Sequence, residues 1–312
     1  MNRNTHSDLE VVPFASPTST DAVERVRLLQ LRRAIRSMPQ NLTAFVGAII
    51  VIVTLIIAVF APLLSPHDPL KQDIRNRLQP PSWVEGGDKM HVLGTDTLGR
   101  DLLSRIIHGS RVSLVVGLAA VILSGGVGVT LGLITGYFGG RLDSIVGRLA
   151  DVQLSIPFLI LAVAVVAVIG PSLINLIVVL SITTWVLYYR VVRGEVLSVR
   201  EEEYIAAAKG IGGSTRHILL QHILPNVSAS IVVVATLLVA NMIIFEASLS
   251  FLGLGVPPPA PTWGRMVADG REYIASAWWI STFPGMAILI TVLGINLLGD
   301  WLRDTLDPKH SL

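Results

Sequence analysis

The 312-residue chain contains no cysteine. Disulfide scaffolds, thiolate metal sites and cysteine nucleophiles are excluded at once. Charge is also scarce: Asp, Glu, Lys and Arg make up 15% of the residues, where a soluble domain carries about 25%. So few charges cannot cover a water-facing surface of this size, and most of the chain must face something else. Lysine occurs only at Lys71, Lys89, Lys209 and Lys309, and none of these follows a glycine. A phosphate loop needs Gly-Lys-Ser/Thr after a Gly-rich run, and the chain has none. The net charge of +2, with no long basic block, leaves no footprint for nucleic acid. His6, His67, His91, His108, His217, His222 and His310 are scattered through loops and ends. That is a poor pattern for a metal, and neither a metal nor a cofactor is expected on this chain.

What the chain has in abundance is apolar sequence: 52% of residues are hydrophobic, and the mean hydropathy is +0.65. Its charges are spaced so as to leave long gaps. One membrane crossing needs about 20 apolar residues at a rise of about 1.5 Å each. Residues 152–189 form an uncharged stretch of 38, too long for one helix, and Gly170-Pro171-Ser172 sits where a hairpin would break it. The other gaps each fit one helix. Six spans are expected, near 42–64, 112–136, 146–168, 172–190, 226–249 and 281–301, with Pro157 tolerated inside the third. The fold class is therefore an all-α polytopic membrane protein.

The remaining segments divide as follows. Residues 1–21 read as a disordered polar tail, with no apolar core that would suit a signal peptide. Residues 22–41 alternate Val26, Leu29, Leu31 and Ile35 with arginines, the pattern of a basic amphipathic helix lying against membrane lipid. The loop 65–111 is too long for a mere connector. Leu98, Leu102, Ile106 and Ile107 at helical spacing place an amphipathic helix in its last third, with Arg100, Asp101 and Arg105 on the polar face. A short tail, 303–312, ends the chain. The Lys and Arg near the span ends divide fourteen to nine in favour of a cytoplasmic N-terminus.

Between the fourth and fifth spans lies Glu201-Glu202-Glu203-Tyr204-Ile205-Ala206-Ala207-Ala208-Lys209-Gly210-Ile211-Gly212-Gly213. This reads as a short helix with acids in its first turn, favourable against the helix dipole, and a Gly-rich stop. A second apolar segment follows, and Pro225 opens the next span. Such a helix suits docking into a groove of another protein; an ordinary interfacial connector fits the same composition.

The stretch from Glu203 to Asn226 resembles the cytoplasmic signature loop of ABC-importer permeases, which runs Glu-Ala-Ala, Gly after three more residues, then Leu-Pro. Ala207 and Ala208 match the alanines, Gly212 the glycine and Leu224-Pro225 the ending. Ala206 stands where that motif has Glu, and His222 where Ile is usual. This leaves open whether Glu203, one turn earlier, takes the acid's place. The flanks narrow the resemblance. His91-Val92-Leu93-Gly94-Thr95-Asp96-Thr97-Leu98-Gly99-Arg100-Asp101, Phe251-Leu252-Gly253-Leu254-Gly255 and Pro261-Thr262-Trp263-Gly264 are similar to segments of dipeptide/oligopeptide permeases. So is the ending from Gly299-Asp300 to Leu306-Asp307-Pro308.

The chain thus looks like the C-type permease subunit of a peptide/nickel-class importer. The resemblance implies a type I importer fold with residues 112–302 as its core. It also implies multi-pass residence in the bacterial cytoplasmic membrane, with both termini inside. The implied partners are a second homologous permease, two ATPase subunits that hold ATP and Mg, and an extracytoplasmic substrate-binding protein. Residues 201–213 would be the coupling helix, with Glu202, Glu203, Tyr204, Ala206, Ala207, Ala208, Lys209, Gly210, Gly212, Gly213 and Pro225 at the contact. Dipeptides or oligopeptides are the first expectation for cargo, nickel or glutathione the alternatives. Candidate pathway residues are Trp185, Asn241, Met242 and Glu246.

Two other classes compete. A membrane enzyme would use acids inside the spans, which are expensive there and usually functional. Only Asp151, expected to pair near Arg148, and Glu246 qualify. An ion-coupled transporter would want ionisable residues near mid-membrane and internal repeats. The centres of spans one, two and four have no such residue. The expectation is a translocation subunit with no catalysis of its own.

Overall fold

The computed structural model describes residues 41–306. The expected tail 1–21, the expected interfacial helix 22–41 (save Asn41) and the end of the C-terminal tail lie outside the described residues. Helix α1 (Leu42–Val59) starts where the Asn41 side chain accepts from the Ala44 amide at 3.3 Å. It gives way at Phe60 to a short turn, α2 (Ala61–Leu64), opened by Pro62. Helix α3 (Leu102–Phe138) runs for 37 residues, capped by Asp101, whose carboxylate accepts from the Ser104 amide at 2.8 Å. The expected helix before span two therefore begins at Leu102 rather than near Leu98, and it is continuous with the span.

The third crossing departs most from expectation. Instead of one helix over 146–168 there are two, α4 (Gly140–Ser155) and α5 (Phe158–Ile169), bent by 96°. Pro157 lies at the bend, not inside a helix. It has no N–H to donate, and it holds Ile156 extended at φ −96°, ψ 122°. Charge explains why α4 does not simply continue inward. Its Asp143 pairs with Arg193 and its Asp151 with Arg190, not with Arg148. At 1.5 Å per residue α5 alone reaches only about 18 Å, short of a hydrocarbon core of about 30 Å. The expected single helix is replaced by a bent pair.

Ser172 caps α6 (Leu173–Val199), accepting from the Asn175 amide at 3.0 Å, so the helix starts at the expected hairpin but runs nine residues past 190. Next come α7 (Glu203–Gly210) and α8 (Thr215–His217). A π-helical turn, Ile218–Ile223, then leads straight into α9 (Leu224–Phe251). The last helices are α10 (Trp263–Gly270) and α11 (Trp279–Leu306). Among the described residues five helices are long and apolar enough to cross a membrane, and the bent pair passes the same test only when its two helices are taken together, which gives six. No strand occurs among the described residues.

The helices are packed by small residues. Gly128, Gly132 and Gly136 recur every four positions, on one face of α3, where α6 crosses. A Cβ on them would lie 2.3 Å from the Trp185 carbonyl, 2.9 Å from Val192 Cβ and 2.8 Å from Val196 Cβ, respectively. No real Cβ fits at such distances, so the approach depends on glycine, as in close membrane helix pairs. Helix α9 packs on α3 and α11, and α1 packs on α11 through Gly47 and Gly294. Gly126, in the same Gly-rich run of α3, faces open space. Overpacking costs about 1–3 kcal/mol. Gly132→Val should accordingly lower the thermal unfolding temperature of the detergent-solubilised chain, while Gly126→Val leaves it unchanged; equal behaviour of the two would contradict the seam.

Candidate functional site

Eight residues are too few for a helix to persist on its own, so α7 must be held from outside. One side chain does most of this. Ile205 is fully buried, in a cluster with Val192 and Val196 of α6, Ile218 and Ile223 of the π turn, and Val227 of α9. Burying an isoleucine contributes about 1.5–3 kcal/mol. Ala208 is half-buried beside it, and the rest of α7 is exposed. At its C-terminal end the ammonium of Lys209 lies 5.1 Å from the ring centre of Tyr137, near the end of α3. Just before α7, Arg200 donates to the Gly136 carbonyl at 2.8 Å and pairs with Glu201.

The helix stops in a defined way. The Gly213 amide donates back to Ala208 O at 2.9 Å, and the Gly212 amide to Lys209 O at 3.0 Å. These are the paired bonds of a Schellman motif, which places Gly212 at φ +83°. A Cβ there would meet nothing of this chain within 4 Å. Beside it Ile211 is 87% exposed. With the rest of α7 exposed on every side but one, Ile211 adds an open apolar side chain to this surface.

Tyr204 extends the same surface. Its hydroxyl accepts from the Asn226 side chain at 3.2 Å, and its ring lies 6.5 Å from that of His222, which in turn lies 5.3 Å from His217. Partial burial, with the Glu202 carboxylate near, pushes the Tyr204 phenol pKa up, so the hydroxyl stays protonated at neutral pH. The π-helical turn falls immediately before Leu224-Pro225, where the proline has no N–H for a regular α-helical bond. Glu202, Glu203, Ala206, Ala207 and Gly210 are all exposed on or beside α7. The expected contact residues are thus gathered in one patch, with Gly213 half-buried against Ala208 and Pro225 at the base of α9.

The four pathway candidates do not share one exposed face: Asn241, Met242 and Glu246 lie on α9 and Trp185 on α6. Trp185 is buried and donates from Nε1 to Gln153 Oε1 at 2.8 Å. Met242 is fully buried. Glu246 is fully buried as well, accepting from Ser113 at 3.1 Å and Ser250 at 2.7 Å. Asn241 alone is exposed.

The segment 65–101 is held by its own backbone hydrogen bonds. Residues 73–82 and 92–98 run against each other, with Asp73 donating to Leu98 O, Leu78 to Asp96 O and Thr95 to Gln79 O. Arg100, Asp101 and Arg105 are buried, contrary to their expected place on a polar face. Asp96 accounts for the two arginines: it accepts from Arg100 Nε at 2.7 Å, and Arg105 Nη1 lies 3.1 Å from it. Arg105 also approaches Asp269 of α10, which pairs with Arg265. The i,i+4 spacings of Asp96–Arg100 and Arg265–Asp269 were visible signals of this network. The approach of Arg105 to Asp269, 164 positions apart, had none. The histidines also need correction: His67 and His91 converge, with ring centres 4.9 Å apart.

Residues 128–311 match the family described as "Binding-protein-dependent transport system inner membrane component", and residues 30–81 the "N-terminal TM domain of oligopeptide transport permease C". The di/tripeptide transport system permease protein DppC of Pseudomonas aeruginosa is 44% identical over 274 residues, 88% of this chain and 90% of that protein. The oligopeptide transport system permease protein OppC of Bacillus subtilis is 38% identical over 95% of both chains. Among solved structures, a chain of the MetNI methionine ABC transporter in an inward-facing conformation superposes with a TM-score of 0.54 at 19% identity. It covers 65% of this chain and 97% of that one, which shows a shared fold.

The anchoring of α7 can be tested without any partner. Ile205→Ala removes its one buried side chain, at a local cost of about 2–5 kcal/mol. Amide hydrogen exchange over residues 203–213 should speed up markedly while exchange in α3 and α6 stays as it was. Tyr204→Ala should change it little. Unchanged protection in Ile205→Ala would show that something else holds the helix.

Proposed function

Since the chain belongs to the family of binding-protein-dependent transport system inner membrane components, we propose that it is the C-type permease subunit of an ATP-driven importer of dipeptides and oligopeptides in the bacterial cytoplasmic membrane. Relatives named for dipeptide and oligopeptide transport support the peptide cargo. In this reading the chain pairs with a second, homologous permease, two ATPase subunits bind beneath the pair, and a substrate-binding protein delivers peptide from outside. The loop 200–223 then lies in the cytoplasm, and residues 65–101 and 252–278 face outward. The chain does no chemistry; ATP and Mg are held by the ATPases, in keeping with the lack of a phosphate loop.

The observation that carries the proposal is α7 itself: a short helix with one buried anchor, ended by a rigid turn, its outer faces open. Inserted in a cleft of an ATPase, it is moved as a unit when the ATPase dimer closes on ATP. Its base is packed on α6, the π turn and α9, so the movement passes to the spans rather than dissipating in a loop. Access alternates because nucleotide binding favours one arrangement of the spans over the other. Of the four pathway candidates Asn241, with its exposed side chain, is the one that meets cargo in this reading, while Trp185, Met242 and Glu246 are buried within the chain.

Gly212 tests the reading. Gly212→Glu adds a side chain that touches nothing within the chain but projects into the ATPase. It should leave the chain inserted and folded, sharply reduce recovery of the ATPases with it, and abolish peptide uptake. Gly212→Asn, which tolerates positive φ, separates bulk from backbone strain and should weaken both to a lesser degree. Normal recovery and uptake in Gly212→Glu would remove residues 203–213 from the contact. Sidedness is checked separately in this cysteine-free chain. A cysteine at Lys89 or Ser276 should react with an impermeant thiol reagent in intact cells and one at Ser214 should not; the reverse pattern would overturn the topology.

A further inference from the structure

We infer that His67, His91 and Asp101 form a binding site for one divalent transition-metal ion, a site that the sequence reading did not expect. His67 follows α2, His91 lies in the middle of the segment 65–101, and Asp101 caps α3. One ligand atom from each lies within 4.8 Å of the others. His91 Nδ1 is 3.0 Å from Asp101 Oδ1, and His67 Nδ1 is 3.7 Å from Asp101 Oδ2. In a tetrahedral site with bonds of about 2.0–2.1 Å, neighbouring ligand atoms sit about 3.3 Å apart. The two histidine–carboxylate distances, each to its own oxygen of Asp101, straddle that value, and the three ligand atoms, within 4.8 Å of one another, close onto one ion when the imidazole side chains rotate toward the carboxylate.

Two further observations point to an ion rather than to hydrogen bonding alone. First, His67 Nδ1 is buried and has no hydrogen-bond partner. It faces the carboxylate from too far away to bond it, and an unpaired buried polar atom is costly. An ion between the rings satisfies it together with His91 Nδ1. Second, the carboxylate is already oriented from behind. Asp101 Oδ2 accepts from the Ser104 amide at 2.8 Å and from Ser104 Oγ at 2.6 Å, and the same Oγ accepts from the His67 amide at 3.0 Å. Ligands held by such outer partners are typical of metal centres. Asp101 is 2% exposed, whereas the His67 side chain is 29% exposed. The ligand atom of His67 is thus buried while the far part of its ring meets solvent.

Two imidazoles and one carboxylate suit zinc, and also nickel or copper, and do not suit magnesium or calcium. Bound there, the ion would tie the end of the first crossing and the middle of the segment 65–101 to the start of the second crossing.

The test uses the full chain, purified without a histidine tag, in detergent, stripped with a chelator and then offered Zn2+ or Co2+. The wild-type chain should take up one chelator-reversible zinc ion, and zinc should raise its unfolding temperature. Co2+ should give visible absorption bands of a low-coordinate nitrogen and oxygen site, which zinc displaces. His67→Ala and His91→Ala should each lose the ion and the temperature shift, while His217→Ala, at the other histidine pair, should keep both. Absence of the cobalt bands in the wild-type chain would overturn the site whatever the variants do. Equal zinc uptake by the wild type, His67→Ala and His91→Ala would overturn it too.

Discussion

The closeness of α3 and α6 governs what happens at the 200–226 end. Gly128, Gly132 and Gly136 bring the two backbones together, and the side chains that fill the seam from α6 include Val192 and Val196. Those same two valines line the pocket that receives Ile205. A wider seam would move them outward and leave the anchor of α7 without walls. Tyr137, under Lys209, and the Gly136 carbonyl, bonded by Arg200, come from the same end of α3. The position of an exposed helix is thus set by a contact between two buried ones.

The opposite end is organised by charge rather than by close packing. Asp96 and Asp101, five residues apart, take different partners: Asp96 binds Arg100 and Arg105, and Asp101 faces His67 and His91. Arg105 carries the Asp96 network toward α10, and Trp279 donates to Thr95 O at 3.1 Å, tying in the start of α11. Buried ion pairs add little stability on their own, because desolvation offsets the attraction, but removing one partner is strongly destabilising. Such a network fixes geometry more than it adds energy.

Much of this was readable from the residues. Charge-free runs long enough to cross a bilayer leave few options for their structure, and the hairpin at 170–172 and the stop at Gly212-Gly213 are local chemistry. The break at Pro157 was harder to see. A proline inside an apolar run is tolerated in many membrane helices, and what decides the matter here is the polar face of α4, which binds Arg190 and Arg193 across on α6. The approach of Arg105 to Asp269 and the meeting of His67 with His91 join residues 164 and 24 positions apart in the chain. No periodicity reports such contacts. Glu246 stands out in the sequence as an acid inside a span, but its hydroxyl partner Ser113 lies on another helix, 133 positions away, and no local signal pairs the two.

The central claim is that the patch around α7 and Gly212 is where this chain meets the machinery that drives it. A photo-reactive residue placed at Ile211, in the assembled importer in native membranes, tests this directly, with Lys89 as the control site. Irradiation should give an adduct of this chain with an ATPase subunit from position 211 and none from position 89. No ATPase adduct from 211, or equal adducts from both positions, would contradict it.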